Sequence, residues 1–362
     1  MMRSSTISLS KLELIAKEAG VSVRTVYRVL RGDNKENWTS ASKRGQLIRK
    51  ISRRLEYSPD ASARSLRTGK KMQIAVLVRN TEGGERRDDY FLDGFEIVLG
   101  MVGVLELAGY SLTFATLGDV TNPQDAHSRI FREHLVEGLI VISQMPPDLL
   151  DSIDRLTPNC VWVHSNVWRP QNCIRRDEVH AGEETARVLL NQGYKKLAWV
   201  GPPAINPKDP DRHHSEAQRL QGVRSIAAKN NIELIEIIAD DPGQMLDHHA
   251  LFSDLLRPEV GVVVYSAHYA SWLTQCTQSL GRIAPYDFGL VCCDDSLAIK
   301  HRWPGLSRMG FSLIHMGRQA GAMMLKNLKQ KEGKGIPSVM IRDPWVPGNT
   351  AWGPQAAAYR PT

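Results

Sequence analysis

Arg24, Arg28 and Arg31 are the charges of one short helix-like run, Val23 to about Leu30 and its end. Guanidinium groups so placed suit a nucleic acid. One arginine can donate two hydrogen bonds to guanine O6 and N7, worth about 1–3 kcal/mol of base discrimination. Lys43, Arg44, Arg49, Lys50, Arg53 and Arg54 lie along a later run and suit phosphates, which give affinity without sequence information. Other chemistry is thinly represented. His213-His214 and His248-His249 are the paired imidazoles. Adjacent residues on a helix point about 100° apart, and no cysteine or acid stands at ligand spacing, so no metal is expected. Five cysteines (Cys160, Cys173, Cys276, Cys292, Cys293) are odd in number and lack C-x-x-C spacing; they read as reduced, buried thiols. No GxGxxG, P-loop or nucleophile elbow occurs in a suitable strand–turn–helix context. Neither catalysis nor a cofactor is expected.

The elements that must position the arginines are legible. Ser10-Lys11-Leu12-Glu13 is a capping box that opens a helix. Leu12, Ile15, Ala16 and Ala19 follow at helical spacing, and Gly20 stops it by tolerating a positive φ. Ser22 can cap the second helix, so the pair makes a helix-turn-helix. A third helix, about Ser42 to Leu55, sets Leu47, Ile48, Ile51 and Leu55 on one side to close a small core. Charge agrees: residues 1–71 hold 17 of the 46 Lys and Arg but only 6 of the 39 Asp and Glu, a net of +11 on a chain of net +7. Such asymmetry points to nucleic acid or an anionic membrane surface. No run approaches the ~18 apolar residues of a membrane helix. The polar opening Met1–Thr6 precedes no apolar signal region, so a cytoplasmic protein is expected. From Met72 onward buried-type strands such as Ile74–Val78, Gly138–Ile142, Leu197–Val200, Gly261–Tyr265 and Phe288–Cys292 alternate with helices. Two such sets imply an α/β body of two doubly wound lobes with a ligand cleft between them.

The run Ile15-Ala16-Lys17-Glu18-Ala19-Gly20-Val21-Ser22-Val23-Arg24-Thr25-Val26-Tyr27-Arg28-Val29-Leu30 resembles the signature of the lactose-repressor/galactose-repressor (LacI/GalR) family. Tyr57-Ser58-Pro59-Asp60-Ala61-Ser62-Ala63-Arg64-Ser65-Leu66-Arg67-Thr68-Gly69-Lys70 does likewise. Further landmarks are Asp177 with Gly182, Gly193–Gly201, Arg219-Leu220-Gln221-Gly222, Asp294-Asp295, Pro304–Ser307 and Met316-Gly317. The resemblance implies an all-α helix-turn-helix DNA-binding domain (1–58), a hinge helix and linker (59–71), and a periplasmic-binding-protein-like body for effector binding and dimerisation (72–345). Lobe 1 is expected at 72–170 plus 306–337 and lobe 2 at 171–303 plus 338–350, with a loose C-terminal tail at 351–362. It implies DNA contacts from Val23, Arg24, Thr25 and Arg28 in the major groove and from Lys43 and Arg44 on phosphates. Ala63 lies near the minor groove, and Leu66 is the wedge inserted there. Two departures stand out: Gly32–Ser40, with Trp38, is about four residues longer than the usual loop, and Tyr27 replaces a small residue.

In the cleft the sequence departs further. Ala267-His268 replaces an expected Asn-Asp, His164 replaces an acid, Arg79 replaces a small polar residue, and Arg219 is retained. Arg79, His164, Arg219, His268 and Asp294 are therefore the expected effector residues. Two acids exchanged for imidazoles favour a small anion, such as a sugar acid or sugar phosphate, over a neutral sugar. The function implied is a homodimeric, effector-controlled repressor on a palindromic double-stranded operator. The alternatives are a cytoplasmic solute-binding protein with a basic N-terminal extension, and an enzyme on a doubly wound fold, which fold alone does not exclude.

Overall fold

A computed structural model describes residues 10–31, 39–58, 65–66, 68–78, 87–117, 129–133, 135–142, 144–204, 213–240, 243, 248–295, 303–330 and 334–360. The chain divides into two compact units, Met1–Lys71 and Met72–Thr362. In the first, α1 (Lys11–Glu18), α2 (Val23–Arg31) and α3 (Thr39–Arg54) surround a core of Ile15, Ala16, Val26, Val29, Ile48 and Ile51. The Ser10/Glu13 capping box forms in full. Gly20 takes φ +62°, and the Val21 N–H donates to Ala16 O, which turns the chain into α2. The Ser22 hydroxyl accepts from the Thr25 N–H at 3.2 Å. Leu47, expected on the apolar side of α3, is instead 45% exposed. Ile48 and Ile51 already fill the contact with α1 and α2, and residue 47 lies about 100° round the helix from 48.

The second unit contains two six-stranded sheets. Its elements in chain order begin with β1 (Gln73–Val78), α4 (Arg87–Leu107), β2 (Ser111–Thr116), α5 (Arg129–Glu133), β3 (Gly138–Val141), α6 (Pro147–Leu156), β4 (Cys160–Val163) and β5 (Cys173–Arg176). There follow α7 (Glu178–Asn191), β6 (Lys196–Gly201), α8 (Ser215–Lys229), β7 (Leu234–Ile238), α9 (His249–Leu255), β8 (Val260–Val264), α10 (Ala267–Ser279) and β9 (Gly289–Cys292). The last are β10 (Ser307–Met309), α11 (Leu313–Asn327), β11 (Val339–Ile341) and β12 (Trp345–Val346), then a 3-10 turn, Pro354–Tyr359. The first sheet runs β11-β5-β4-β3-β1-β2 and is parallel throughout. The second runs β12-β10-β9-β8-β6-β7, with β12 alone antiparallel. Both contain the doubly wound order that reverses between the first and third strands of a lobe, which opens a crevice at the carboxyl ends of the strands. The runs Ile74–Leu77 and Val260–Val264 are fully buried, as strands covered on both faces must be.

Three lobe assignments from sequence shift. β5 belongs to the first sheet, not the second lobe; β10 belongs to the second sheet and β11 to the first. The chain therefore crosses between lobes after Arg176, after Met309 and after Ile341. Short apolar runs do not reveal which sheet edge they join; register against β4, β9 and β5 decides that. The C-terminal stretch expected as a loose tail is instead held against the rest of the second unit. Ala351 and Ala356 are buried, the Gly353 N–H donates to the Tyr194 hydroxyl at 3.1 Å, and Arg360 pairs with Asp287 at 2.9 Å. Its proline and alanines read as loop composition, yet alanines are small enough to seat on a lobe surface. All five cysteines are free and buried. Among the described residues no helix is long and apolar enough to cross a membrane.

Candidate functional site

The basic unit presents one face of α2 outward. Val26 and Val29 are buried, whereas Val23, Arg24 and Arg28 are exposed. Thr25 is half-buried, its hydroxyl 2.9 Å from that of Ser22. Lys43 and Arg44 are exposed on the first half of α3. Arg54 is committed to an ion pair with Glu18, which leaves it less available to phosphate. Ser65 and Leu66 are helical. The Gly69 N–H donates to Ser65 O at 2.8 Å, and Gly69 ends the turn at φ +68°. Leu66 is 90% exposed, about 2 kcal/mol of apolar burial not realised. Ala63 and Arg79 lie outside the described residues.

A second constellation forms where strands of the two lobes end. His164 directly follows β4 and takes φ +49°, a conformation that β-carbon sterics make uncommon for a non-glycine residue. Its ring centroid is 4.4 Å from that of His213, 6.0 Å from His214 and 5.3 Å from Phe311. The His213 and His214 rings are 4.0 Å apart. The sequence argument that this pair diverges therefore fails. Both residues precede α8 rather than lying within it, and the third imidazole arrives from another lobe. His213 Nδ1 is 2.7 Å from Ser215 Oγ, which is 2.7 Å from the Tyr265 hydroxyl; His213 Nε2 is 3.3 Å from His164 O. His164 Nδ1 and both ring nitrogens of His214 are buried with no hydrogen-bond partner among the described residues. A neutral imidazole carries one N–H, so His214 leaves at least that donor unsatisfied, at roughly 1–3 kcal/mol.

Charge in this region differs from the expectation. Burial pushes the His164 and His214 imidazoles well below their ordinary value, and the neighbouring His213 lowers both further. Burial likewise takes His213 down to about 4. At neutral pH these rings are uncharged, so His164 is not the cation that the exchange of acid for histidine implied. Arg219 is buried: its Nε donates to Glu178 Oε2 at 2.7 Å, and its Nη1 donates to Tyr265 O at 2.7 Å and Asp294 Oδ2 at 3.3 Å. Burial alone raises Glu178, but Arg219 and Arg176 outweigh it and hold the carboxyl well below the usual range. Arg219 thus spends its charge inside the protein. Asp294 also accepts the Ala267 N–H at 2.9 Å, which places it against the first turn of α10, where His268 is exposed.

Sequence reasoning missed Arg175, Arg176 and Glu178. Arg175 lies over the Trp168 ring at 4.5 Å, and its buried Nε lacks an acceptor among the described residues. Arg176 is 1% exposed and reaches all three interlobe crossings: Glu178 Oε2 at 3.4 Å, Gly310 O at 3.2 Å and Asp343 Oδ2 at 3.3 Å. The signal was present. Two arginines in the strand Cys173–Arg176 contradict the apolar run expected of a buried parallel strand.

The family described as periplasmic binding protein-like domain matches residues 186–350. The chain is 24% identical over 326 residues to the HTH-type transcriptional regulator RegA of Clostridium saccharobutylicum, covering 88% of this chain and 92% of that one. It is 22% identical over 353 residues to the HTH-type transcriptional repressor PurR of Vibrio vulnificus, covering 92% and 98%. Among solved structures, a lac repressor dimer bound to operator and the anti-inducer ONPF superimposes with TM-score 0.70 at 17% identity, over 95% of this chain and 99% of that one. A likeness at that identity concerns the fold. The aligned relatives are regulators rather than enzymes.

Proposed function

We propose that this chain, a transcription regulator of the LacI/GalR family, is a homodimeric repressor whose cleft takes a small anionic effector. The observation that carries the DNA role is the pairing of a +11 unit with an α2 that turns Val23, Arg24 and Arg28 outward. Two copies of one recognition helix suit a palindromic site. Gel shifts across a salt series test it. The full chain is expected to lose affinity with a log–log slope of about −0.9 per phosphate contacted, and a fragment starting at Met72 is expected to bind no DNA. Equal binding by that fragment refutes the assignment.

Arg175 supports the anion. It is a half-buried guanidinium with an unpaired Nε, held by Trp168, and charge-assisted hydrogen bonds to carboxylate or phosphate are the strong kind. Arg219 and His164 then shape the cleft rather than supply its charge, Asp294 and His268 are further proposed effector contacts, and Arg79 is a further proposed donor. A sugar acid and a sugar phosphate are expected to bind in titration calorimetry, and Arg175→Met is expected to abolish that binding. Tight binding of a neutral sugar with none of the acids removes the charge argument. Cytoplasmic location accords with a DNA target.

A further inference from the structure

We infer that His164, His213 and His214 form a binding site for one divalent transition-metal ion. One ligand nitrogen from each ring lies within 4.8 Å of the other two. Tetrahedral coordination at 2.0–2.1 Å sets nitrogens about 3.3–3.4 Å apart, so small ring rotations close the set. His213 and His214 are each more than nine-tenths buried. His164 Nδ1 and both nitrogens of His214 are buried without a hydrogen-bond partner among the described residues, where the three rings meet.

The surroundings fit a metal ligand set. The His213 Nδ1–Ser215 Oγ–Tyr265 hydroxyl chain fixes that ring, as outer-shell partners of metal-bound histidines do. It leaves Nε2, whose 3.3 Å contact to His164 O is long and readily exchanged. Neutral imidazole is the ligating form and suits zinc, nickel or copper. Nearby Arg176 and Arg219 are paired with Glu178, Asp343 and Asp294, so they meet the site as ion pairs. Arg175 opposes a cation, and the three nitrogens must outweigh it. Three ligands leave a fourth position open, the arrangement of zinc sites that exchange ligands rather than of purely structural ones. His164 comes from the first lobe and His213 and His214 from the second, so a bound ion ties one lobe to the other. Only the arrangement that brings them together binds it. This inference is independent of the anion at Arg175, since either can be found without the other.

The test uses the full, untagged chain, stripped with chelator and titrated with Zn2+. One ion per chain is expected to be retained at micromolar concentration. A zinc-edge X-ray absorption spectrum of the wild type is expected to require three imidazoles. His164→Asn, His213→Asn and His214→Asn are each expected to weaken binding by at least about tenfold, whereas the double substitution of His248 and His249 by Ala leaves it unchanged. No ion retained by the wild type, a spectrum fitted by one imidazole or by oxygen alone, or binding that survives all three single substitutions overturns the site. The wild-type spectrum stands even where a variant fails to fold.

Discussion

At the scale of single residues the sensor contains a buried carboxylate paired with two arginines. Glu178 is sealed between Arg219 and Arg176, and removing one member of such a group strands the others. Glu178→Gln is expected to cost about 3–5 kcal/mol in urea unfolding; a loss under 1 kcal/mol contradicts the pairing. The pH dependence follows. The folded carboxyl lies below its unfolded value of 4.5, so its contribution is complete above that pH and is lost as pH falls below it toward the folded value. Glu178→Gln should flatten the acid limb of the stability profile and leave the alkaline limb alone. On the DNA face, exposed Arg28 is proposed to read a base. Arg28→Ala should cost about 1–3 kcal/mol at one operator position. A uniform loss across operator variants, seen in competition gel shifts, would move Arg28 to the phosphate contacts instead.

Among elements, each lobe is anchored by one pair of helices that cross on glycine. In the second lobe a β-carbon at Gly182 would lie 1.9 Å from Arg219 O, and one at Gly222 2.2 Å from Val179 O. In the first lobe α4 and α11 meet the same way: Gly317 faces Ile97 O at 1.9 Å and Gly100 faces Ile314 O at 2.1 Å. The Gly182 and Gly222 crossing is what sets Arg219 against Glu178, so the glycines serve the site through backbone approach. Gly182→Ala is expected to destabilise by at least about 1–3 kcal/mol through overpacking and to disturb effector response. Gly103→Ala, with nothing within 4 Å of the added carbon, should be neutral or slightly stabilising, since alanine favours a helix interior by up to about 1 kcal/mol. Thermal unfolding of the two variants side by side decides this. Equal midpoints would show that α7 can shift to relieve the contact.

For the whole molecule the exposed apolar residues of the first lobe are the surface proposed to receive a second copy. Phe95 and Leu99 stand four apart on α4, 54% and 49% exposed, and so share a face; Phe114 on β2 adds to the exposed apolar surface of that lobe. Palindromic binding requires two chains, and this is the face proposed to join them. Leu99→Lys is expected to convert dimer to monomer in sedimentation velocity and to lower operator affinity through loss of one half-site. A variant that stays dimeric places the interface elsewhere.

The sequence by itself determined whatever depends on local periodicity and local chemistry. Ser10, Glu13, Gly20 and Ser22 set the entry and turn of the helix-turn-helix, and Arg24, Arg28 and Arg31 marked its second helix as the basic one. Alternating strands and helices announced two lobes, because a buried parallel strand can hardly be written otherwise. Tertiary structure decided what depends on convergence of distant segments. Whether β5, β10 and β11 join one sheet or the other is settled by pairing register between strands far apart in the chain. Arg219 reads in sequence as a free cation, but Glu178 and Asp294, 41 and 75 residues away, neutralise it. His164 and His213 are separated by 49 residues, and no spacing rule joins them. Burial then removes the charge that their residue type suggested, because an imidazolium costs more to desolvate than an imidazole.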